Sequence, residues 1–577
     1  MIESASSFPP GSSPLPLLRV RNLRISFARD DRSVTVVDDL SFDLFPGETL
    51  GLVGESGSGK TMTALAISGL LSPAANVERG QITLLSKSGN LLDLSKPSSV
   101  DFQIARGAEI GFIFQEPGTS LNPVMPCGVQ IAEAIQLHHG LSWNQSEKQA
   151  LEWISRVKMD DPERIYRSFP HQLSGGQKQR VVIAMAMCAS PRVLIADEPT
   201  TALDVTVQAE ILRLIKALQS EFGTAVLFIS HDLNVVAEVA DRVCVLKEGK
   251  LIEENRVEEL FKNPQQPYSK ALMGCRPNLR QPPRRLPTLA YFENPENAQI
   301  EPEGGPRIFQ ASGAPLLEVQ RLSAWYPQSR AGLRWGKPKN WTKALNGVSF
   351  DAFPGETLGI VGESGCGKST LAKTLLGLLP PHAGQVFYEG RELLSTPPAD
   401  WPALRRQLQM IFQDPFSSLN PRITALNAIL EPLRFHQIGE SEQARREWAE
   451  EIVTKVGLDF GALNRYPHAF SGGQRQRISI ARALVLKPRF LVCDESVSSL
   501  DASVQAQVLN LLKDLQEEFG LTYLFISHDL SVIRFMSDRI LVMNDGKIIE
   551  SGTPEEVLSN PRDPYTQRLI KAIPGNF

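Results

Sequence analysis

The sequence predicts an α/β protein in which one fold is used twice. Three observations carry this prediction. The chain repeats itself along its length. Each repeat holds a glycine-rich loop between a short apolar strand and a helix. Each also holds a second apolar strand that ends in two adjacent carboxylates.

The repeat comes first, because its period decides the architecture. FPGETLGLVGESGSGKT (Phe45 to Thr61) returns as FPGETLGIVGESGCGKST (Phe353 to Thr370). Gln115, Ser174, Asp197 and His231 find their counterparts at Gln413, Ser471, Asp494 and His528. Lys60 and Lys368 are 308 positions apart, Gln115 and Gln413 298, and the last three pairs share a separation of 297. The halves therefore differ by length changes near their fronts and run almost gap-free behind. A period this long is a duplicated domain rather than a stack of short repeats. The expected boundaries are a disordered tail at 1–16, a first domain with a C-terminal extension at 17–276, a linker at 277–313, and a second domain with its own extension at 314–577. The linker reading rests on its Pro, Gly and charge content and lack of periodicity. At 37 residues it reaches roughly 30–35 Å as a coil. The alternative is a strap that packs on the first domain.

Each glycine-rich loop follows an apolar strand, Leu50–Val53 or Leu358–Val361, and opens a helix. That is the setting a phosphate-binding loop requires. Gly54, Glu55, Ser56, Gly57, Ser58 and Gly59, with Gly362, Glu363, Ser364, Gly365, Cys366 and Gly367, are the cradle: backbone N–H groups close on phosphate oxygens and the helix N-terminus favours the anion. Lys60 and Lys368 are expected on the β- and γ-phosphates, Thr61 and Ser369 on Mg²⁺. Cys366, at a helix N-terminus beside Lys368, is expected to be a reactive thiolate where the first half has Ser58.

The runs VLIADE and FLVCDE place Asp197 and Glu198, and Asp494 and Glu495, at the end of a buried parallel strand, where ligands meet such sheets. Asp197 and Asp494 are suited to orienting Mg²⁺ through water. Glu198 and Glu495 are suited to polarising an attacking water.

Composition excludes several classes. Hydrophobic residues are 42% and charged residues 21%, ordinary for a chain with a real core. The net charge of −4 is not that of a dedicated nucleic-acid binder. Six scattered cysteines form no C-x-x-C pair and point to a reducing compartment. Met1 to Pro16 lacks the basic start and apolar run of a secretory signal, and no stretch approaches the ~20 apolar residues of a membrane span.

LSGGQ (Leu173–Gln177) and FSGGQ (Phe470–Gln474) complete a pattern that resembles the ABC transporter ATPases over the whole chain apart from tail and linker. The resemblance implies two P-loop NTPase domains, each with a RecA-like core, an antiparallel β subdomain and a helical subdomain between Gln115 and Ser174 or Gln413 and Ser471. It implies ATP and Mg²⁺ as cofactors. Ser174, Gly175, Gly176 and Gln177, with Ser471, Gly472, Gly473 and Gln474, are expected to serve a γ-phosphate held by the other half. Phe27 and Tyr326 fit the adenine-stacking position, and Gln115 and Gln413 the glutamine that also meets the metal. Asp204 and Asp501 fit the conserved aspartate loop of the family, and His231 and His528 the switch histidine. Ser496 departs from the usual proline, which Pro199 keeps, and Phe470 from the usual leucine. Neither removes a chemical group.

The chain is most similar to the peptide and nickel importer branch, through the LNP at Leu121–Pro123 and Leu419–Pro421 and the tails NPQQPYSKAL (Asn263–Leu272) and NPRDPYTQRL (Asn560–Leu569). That implies a peripheral subunit on the cytoplasmic face of the inner membrane. Its partners would be two permease subunits and an extracytoplasmic solute-binding protein, with no nucleic acid. The basic stretch Arg330–Asn340 is similar to an insert of that branch or is a solvated loop. A twin-ABC protein acting on ribosomes or DNA is the competing class. The Pro-rich linker, the residues Thr201-Ala202 and Ser498-Ser499, and the absence of zinc cysteines or coiled coils argue against it.

Overall fold

The computed structural model describes residues 15–29, 32–96, 99–201, 203–279, 282–294, 309–327 and 341–573. Residues 1–14 of the expected tail, the basic stretch Arg330–Asn340 and part of the expected linker lie outside them. The chain divides into two compact units, the first essentially the residues up to Lys270 and the second Ala271–Ile573.

In the first unit the strand Thr49–Val53 is buried at every residue, because a parallel strand covered on both faces needs an unbroken apolar run. It sits inside a six-stranded sheet ordered Lys250–Arg256, Arg242–Lys247, Thr49–Val53, Ala225–Ser230, Val193–Asp197, Ile110–Ile113. All neighbours are parallel except the first pair. A separate antiparallel sheet runs Arg32–Leu44, Leu18–Arg29, Ala75–Leu85, Leu91–Asp93. Both sheets contribute to one apolar core, with Leu50, Leu52, Ile195 and Leu227 from the first and Leu18, Ile25 and Leu40 from the second. The helices Cys127–His139, Trp143–Arg156 and Pro162–Arg167 pack together with Gly175–Met187 as the helical part.

The second unit repeats the plan. Its six-stranded sheet is ordered Leu408–Ile411, Phe490–Asp494, Thr522–Ile526, Thr357–Val361, Arg539–Asn544, Lys547–Gly552. Its antiparallel sheet is built around Leu317–Pro327, and its helical part is Ala425–Phe435, Glu442–Lys455 and Gly472–Leu484.

The stretch read as a linker is ordered where it is described, and it packs on the second unit rather than strapping the first. Leu286 is fully buried in that unit's core. Its N–H donates to Asn510 Oδ1 at 2.9 Å, and its carbonyl accepts from Asn510 Nδ2 at 2.8 Å. Arg285 pairs with Asp514 at 2.8 Å and Glu517 at 3.1 Å. A short helix, Leu289–Glu293, follows, and its Phe292 packs against the same core. The physical reason lies on the helix Ala502–Phe519. The matching helix of the first half, Val205–Phe222, carries Arg213, Ala217 and Ser220 where this one has Asn510, Asp514 and Glu517. An arginine offers no acceptor to a backbone N–H.

Candidate nucleotide site

The parallel strands deliver the phosphate loops, the carboxylate pairs, Gln115 and Gln413, and His231 and His528 to one edge, their carboxyl ends, in each half. The phosphate loops leave Thr49–Val53 and Thr357–Val361 and enter the helices Lys60–Ile67 and Lys368–Leu375 through Gly59 and Gly367, both left-handed at φ 96° and 110°. A β-carbon there would meet the Val36 carbonyl at 2.7 Å or the Ala344 carbonyl at 2.3 Å, so glycine is required by space as well as by conformation.

Lys60 Nζ donates to the carbonyls of Gly54 (2.7 Å) and Glu55 (2.9 Å). Lys368 does the same with Gly362 (2.7 Å) and Glu363 (2.9 Å). Thr61 Oγ1 donates to Asp197 Oδ1 at 3.2 Å and Ser369 Oγ to Asp494 Oδ1 at 3.1 Å. Burial pushes the Asp197 carboxyl up to about 6, with the Thr61 hydrogen bond opposing and the charge of Glu198 adding to the rise. Burial raises Asp494 in the same way.

Glu198 and Glu495 follow the strand ends in left-handed backbone, φ 47° and 46°. Side-chain-bearing residues adopt that conformation at a cost, and such strain gathers at functional sites. Each keeps its N–H on the neighbouring strand, Glu198 to the Ile229 carbonyl and Glu495 to that of Ile526. That neighbour leads directly to His231 or His528. On the other side, Ile110–Ile113 and Leu408–Ile411 lead to Gln115 and Gln413. So Gln115 Nε2 donates to Glu198 Oε2 at 3.1 Å, and His231 Nδ1 lies 3.2 Å from the same oxygen. In the second half the distances are 2.8 Å for Gln413 and 3.4 Å for His528. Burial alone would raise the Glu198 carboxyl. The hydrogen bond and charge of His231, with Thr201 and Lys60, outweigh it and hold the group at about 2. Glu495 is lowered by His528 and Lys368 against the same burial penalty. Burial lowers His528, but Glu495 outweighs it and the net direction is up.

The SGGQ segments form helix starts. Ser174 and Ser471 are the N-caps of Gly175–Met187 and Gly472–Leu484, accepting from the N–H of Gln177 and Gln474, whose side chains reach back to the serine N–H. Ser174 and Gly175, like Ser471 and Gly472, are exposed. Tyr326 is half exposed, with its hydroxyl 3.4 Å from Thr370 Oγ1, while Phe27 is half-buried on Leu18–Arg29. Asp204 and Asp501 directly precede the helices Val205–Phe222 and Ala502–Phe519.

Cys366 corrects its expectation. It is 5% exposed, and burial pushes its thiol up despite Lys368, whose ammonium lies 3.9 Å away. Desolvation of a thiolate outweighs a charge that is already engaged with two carbonyls. Two contacts went unread in the sequence. Thr201 Oγ1 donates to Glu198 Oε2 at 2.8 Å. The tail tyrosines reach the phosphate loops: Glu55 N–H donates to the Tyr268 hydroxyl at 3.1 Å and Glu363 N–H to that of Tyr565 at 2.9 Å. The PY pairs were visible, but only as marks of kinship.

Among the described residues no group of three or more His, Cys, Asp or Glu is placed to hold a metal alone. A hydroxyl and a carboxylate at each loop, Thr61 with Asp197 and Ser369 with Asp494, fit Mg²⁺, which takes few protein ligands and completes its shell with phosphates and water. No helix of the described residues is long and apolar enough to cross a membrane.

The family described as ABC transporter matches residues 37–201 and 345–498, and the oligopeptide/dipeptide transporter C-terminal region matches 252–304 and 549–576. The chain is 46% identical to the glutathione import ATP-binding protein GsiA of Shigella sonnei (strain Ss046) over 97% of its own length and 89% of that protein. The figures are the same for GsiA of Escherichia coli (strain K12). A solved ATP-binding cassette, MJ0796, in a dimeric post-hydrolysis state with ADP and Pi, is 30% identical over 41% of this chain and 98% of that one, at a TM-score of 0.37. With two phosphate loops, two carboxylate pairs and two SGGQ helix starts in matching places, the chain belongs to the ABC transporter family and is an ATPase with two nucleotide-binding domains in tandem.

Proposed function

We propose that this chain powers the import of peptides or peptide-like solutes, glutathione among them, through permease subunits that it does not itself contain. The observation that carries the reading is its likeness to glutathione import ATP-binding proteins across 97% of the chain, with the peptide-transporter C-terminal region present in both halves. The reading includes two permeases, an extracytoplasmic binding protein and a position at the cytoplasmic face of the membrane.

In this reading Gly54–Thr61 and Gly362–Ser369 hold the phosphates of ATP, and Thr61, Asp197, Ser369 and Asp494 hold Mg²⁺. Glu198 and Glu495 orient the water that attacks. Their lowered pKa supports ionisation at any working pH, so each is in the form that accepts a hydrogen bond from that water and polarises it. Gln115, Gln413, His231 and His528 sit on the same carboxylates and are placed to report whether a γ-phosphate has arrived. The pairing of Lys60 with Ser471 and of Lys368 with Ser174 belongs to the proposal on the strength of the family resemblance. Deleting the gene should abolish uptake of labelled glutathione or of a labelled short peptide. Unchanged uptake of both, with loss of secretion of some compound, would overturn the reading.

A further inference from the structure

We infer that Tyr268 and Tyr565, in the C-terminal extensions, are positioning residues for the phosphate loops. The inference rests on the reading of those loops as the ATP site.

Each tyrosine is brought in by a docked tail. In the first unit the Glu253 carboxylate accepts the N–H groups of Gln265 (2.9 Å) and Gln266 (3.1 Å). In the second, Glu550 accepts those of Arg562 (2.8 Å) and Asp563 (3.2 Å). A carboxylate clamped on two successive amides fixes the chain just before the helices Pro267–Gly274 and Pro564–Lys571. The second residue of each helix is the tyrosine, 4% and 7% exposed.

The contact they make is specific in its geometry. The peptide unit joining Gly54 to Glu55 is held at both ends. Its carbonyl takes the Lys60 ammonium at 2.7 Å and its N–H gives to the Tyr268 hydroxyl at 3.1 Å. The unit joining Gly362 to Glu363 is held identically, by Lys368 at 2.7 Å and Tyr565 at 2.9 Å. A lysine that moves to a phosphate must leave that carbonyl. The tyrosine then still holds the N–H of this peptide, and with it the entry of the loop. Glycine on one side of the peptide offers little resistance to rotation. The same arrangement arises twice, in halves whose tail sequences differ at the intervening positions.

Removing one hydroxyl takes a part-buried N–H away from this acceptor and loosens the peptide, while the ring keeps its packing. The effect belongs in nucleotide capture, because each hydroxyl engages the backbone of the loop that holds the phosphates. The test uses the full-length protein as Y268F, Y565F and the double variant. ATP hydrolysis is measured over a range of ATP concentrations, beside thermal melting and binding of a fluorescent ATP analogue. The double variant should raise KM for ATP at least about fivefold with kcat within about twofold, and each single variant should weaken one class of analogue site. K60A/K368A serves as the control. If it binds ATP like the wild type, the nucleotide reading itself fails and the tyrosine inference falls with it. If it loses binding while Y268F/Y565F keeps the wild-type KM, the tyrosine inference alone is overturned. It is likewise overturned if the double variant lowers Tm and kcat together with KM unchanged, which would mark the tyrosines as tail packing only.

Discussion

In the first half, Glu198 Oε2 accepts from Gln115 and from the Thr201 hydroxyl and lies beside His231. In the second, Glu495 Oε2 accepts from Gln413 beside His528, but the hydroxyl of Ser498, at the position of Thr201, turns to the Glu495 carbonyl at 2.9 Å instead. The Lys368 ammonium stands 3.9 Å from the other carboxylate oxygen. A branched threonine has few rotamers and is held toward the carboxylate, whereas serine can turn back to the backbone. The loops differ as well, by Ser58 against Cys366, and the second half carries the docked segment around Leu286. The two halves thus share the strand ends that place the chemistry and differ in what surrounds them. Equal skeletons do not imply equal turnover.

The largest effect that could break this comparison lies at the carboxylates. E198Q with E495Q should lower ATP hydrolysis at least about 100-fold with ATP binding retained, since a positioned base contributes roughly 10²–10⁴-fold. If either single variant alone reproduces the double loss, the halves are not independent. If the double variant turns over ATP like the wild type, the assignment of the glutamates is wrong.

The next effect concerns the docked segment. N510A leaves the N–H and carbonyl of buried Leu286 without partners and should destabilise the protein by about 1–3 kcal/mol in denaturant unfolding. R213A, at the matching position of the first half, should stay within roughly 0.5 kcal/mol. Equal losses would deny the segment its preference.

Lys513 gives a smaller effect with a pH signature. Its ammonium lies 3.6 Å from the centre of the Phe535 ring and donates to the Arg284 carbonyl at 3.4 Å. Burial, then the nearby Arg285, lowers it from 10.5 to about 8. Below pH 8 the lysine is charged both folded and unfolded, so the cost of keeping it under the segment is fully present. That cost fades as pH rises from about 8 toward 10.5. K513M should therefore stabilise by on the order of 1 kcal/mol at pH 7 and by nothing near pH 10.5. A gain independent of pH would point to packing alone.

T201A should slow hydrolysis a few-fold by removing a charge-assisted hydrogen bond, with S498A smaller. Least of all, C366S should leave turnover within about twofold. Alkylation of the native protein should label Cys366 slowly, because a buried and raised thiol offers little thiolate. Rapid labelling would restore the sequence expectation.

Much of this site could be read directly from sequence. The groups that meet phosphate, metal and water sit within a few residues of strand ends, and short motifs at fixed spacing record that. The contact of Thr201 with Glu198 was not legible because it depends on a side-chain rotamer three residues after the glutamate. Tyr268 and Tyr565 escaped because the contact spans more than 200 positions of sequence, with only a Pro-Tyr pair to mark it. Cys366 was misread because the positive surroundings are visible in the motif and the burial is not. The docking of the segment around Leu286 was not legible because its composition is that of a coil. The partner that orders it, Asn510, lies 224 positions away.

The left-handed backbone at Glu198 and Glu495 has a consequence for how this protein can be improved or lost. Glycine fits that conformation without penalty, so E198G and E495G relieve a local distortion at the same stroke that deletes the charge on which turnover depends. Such variants should melt above the corresponding alanine variants while hydrolysing nothing, a gap on the order of 1 kcal/mol per site. Robustness and activity therefore pull in opposite directions at these two positions. A search that rewards heat resistance alone would drift toward an inert protein, and one that rewards turnover would keep the strain.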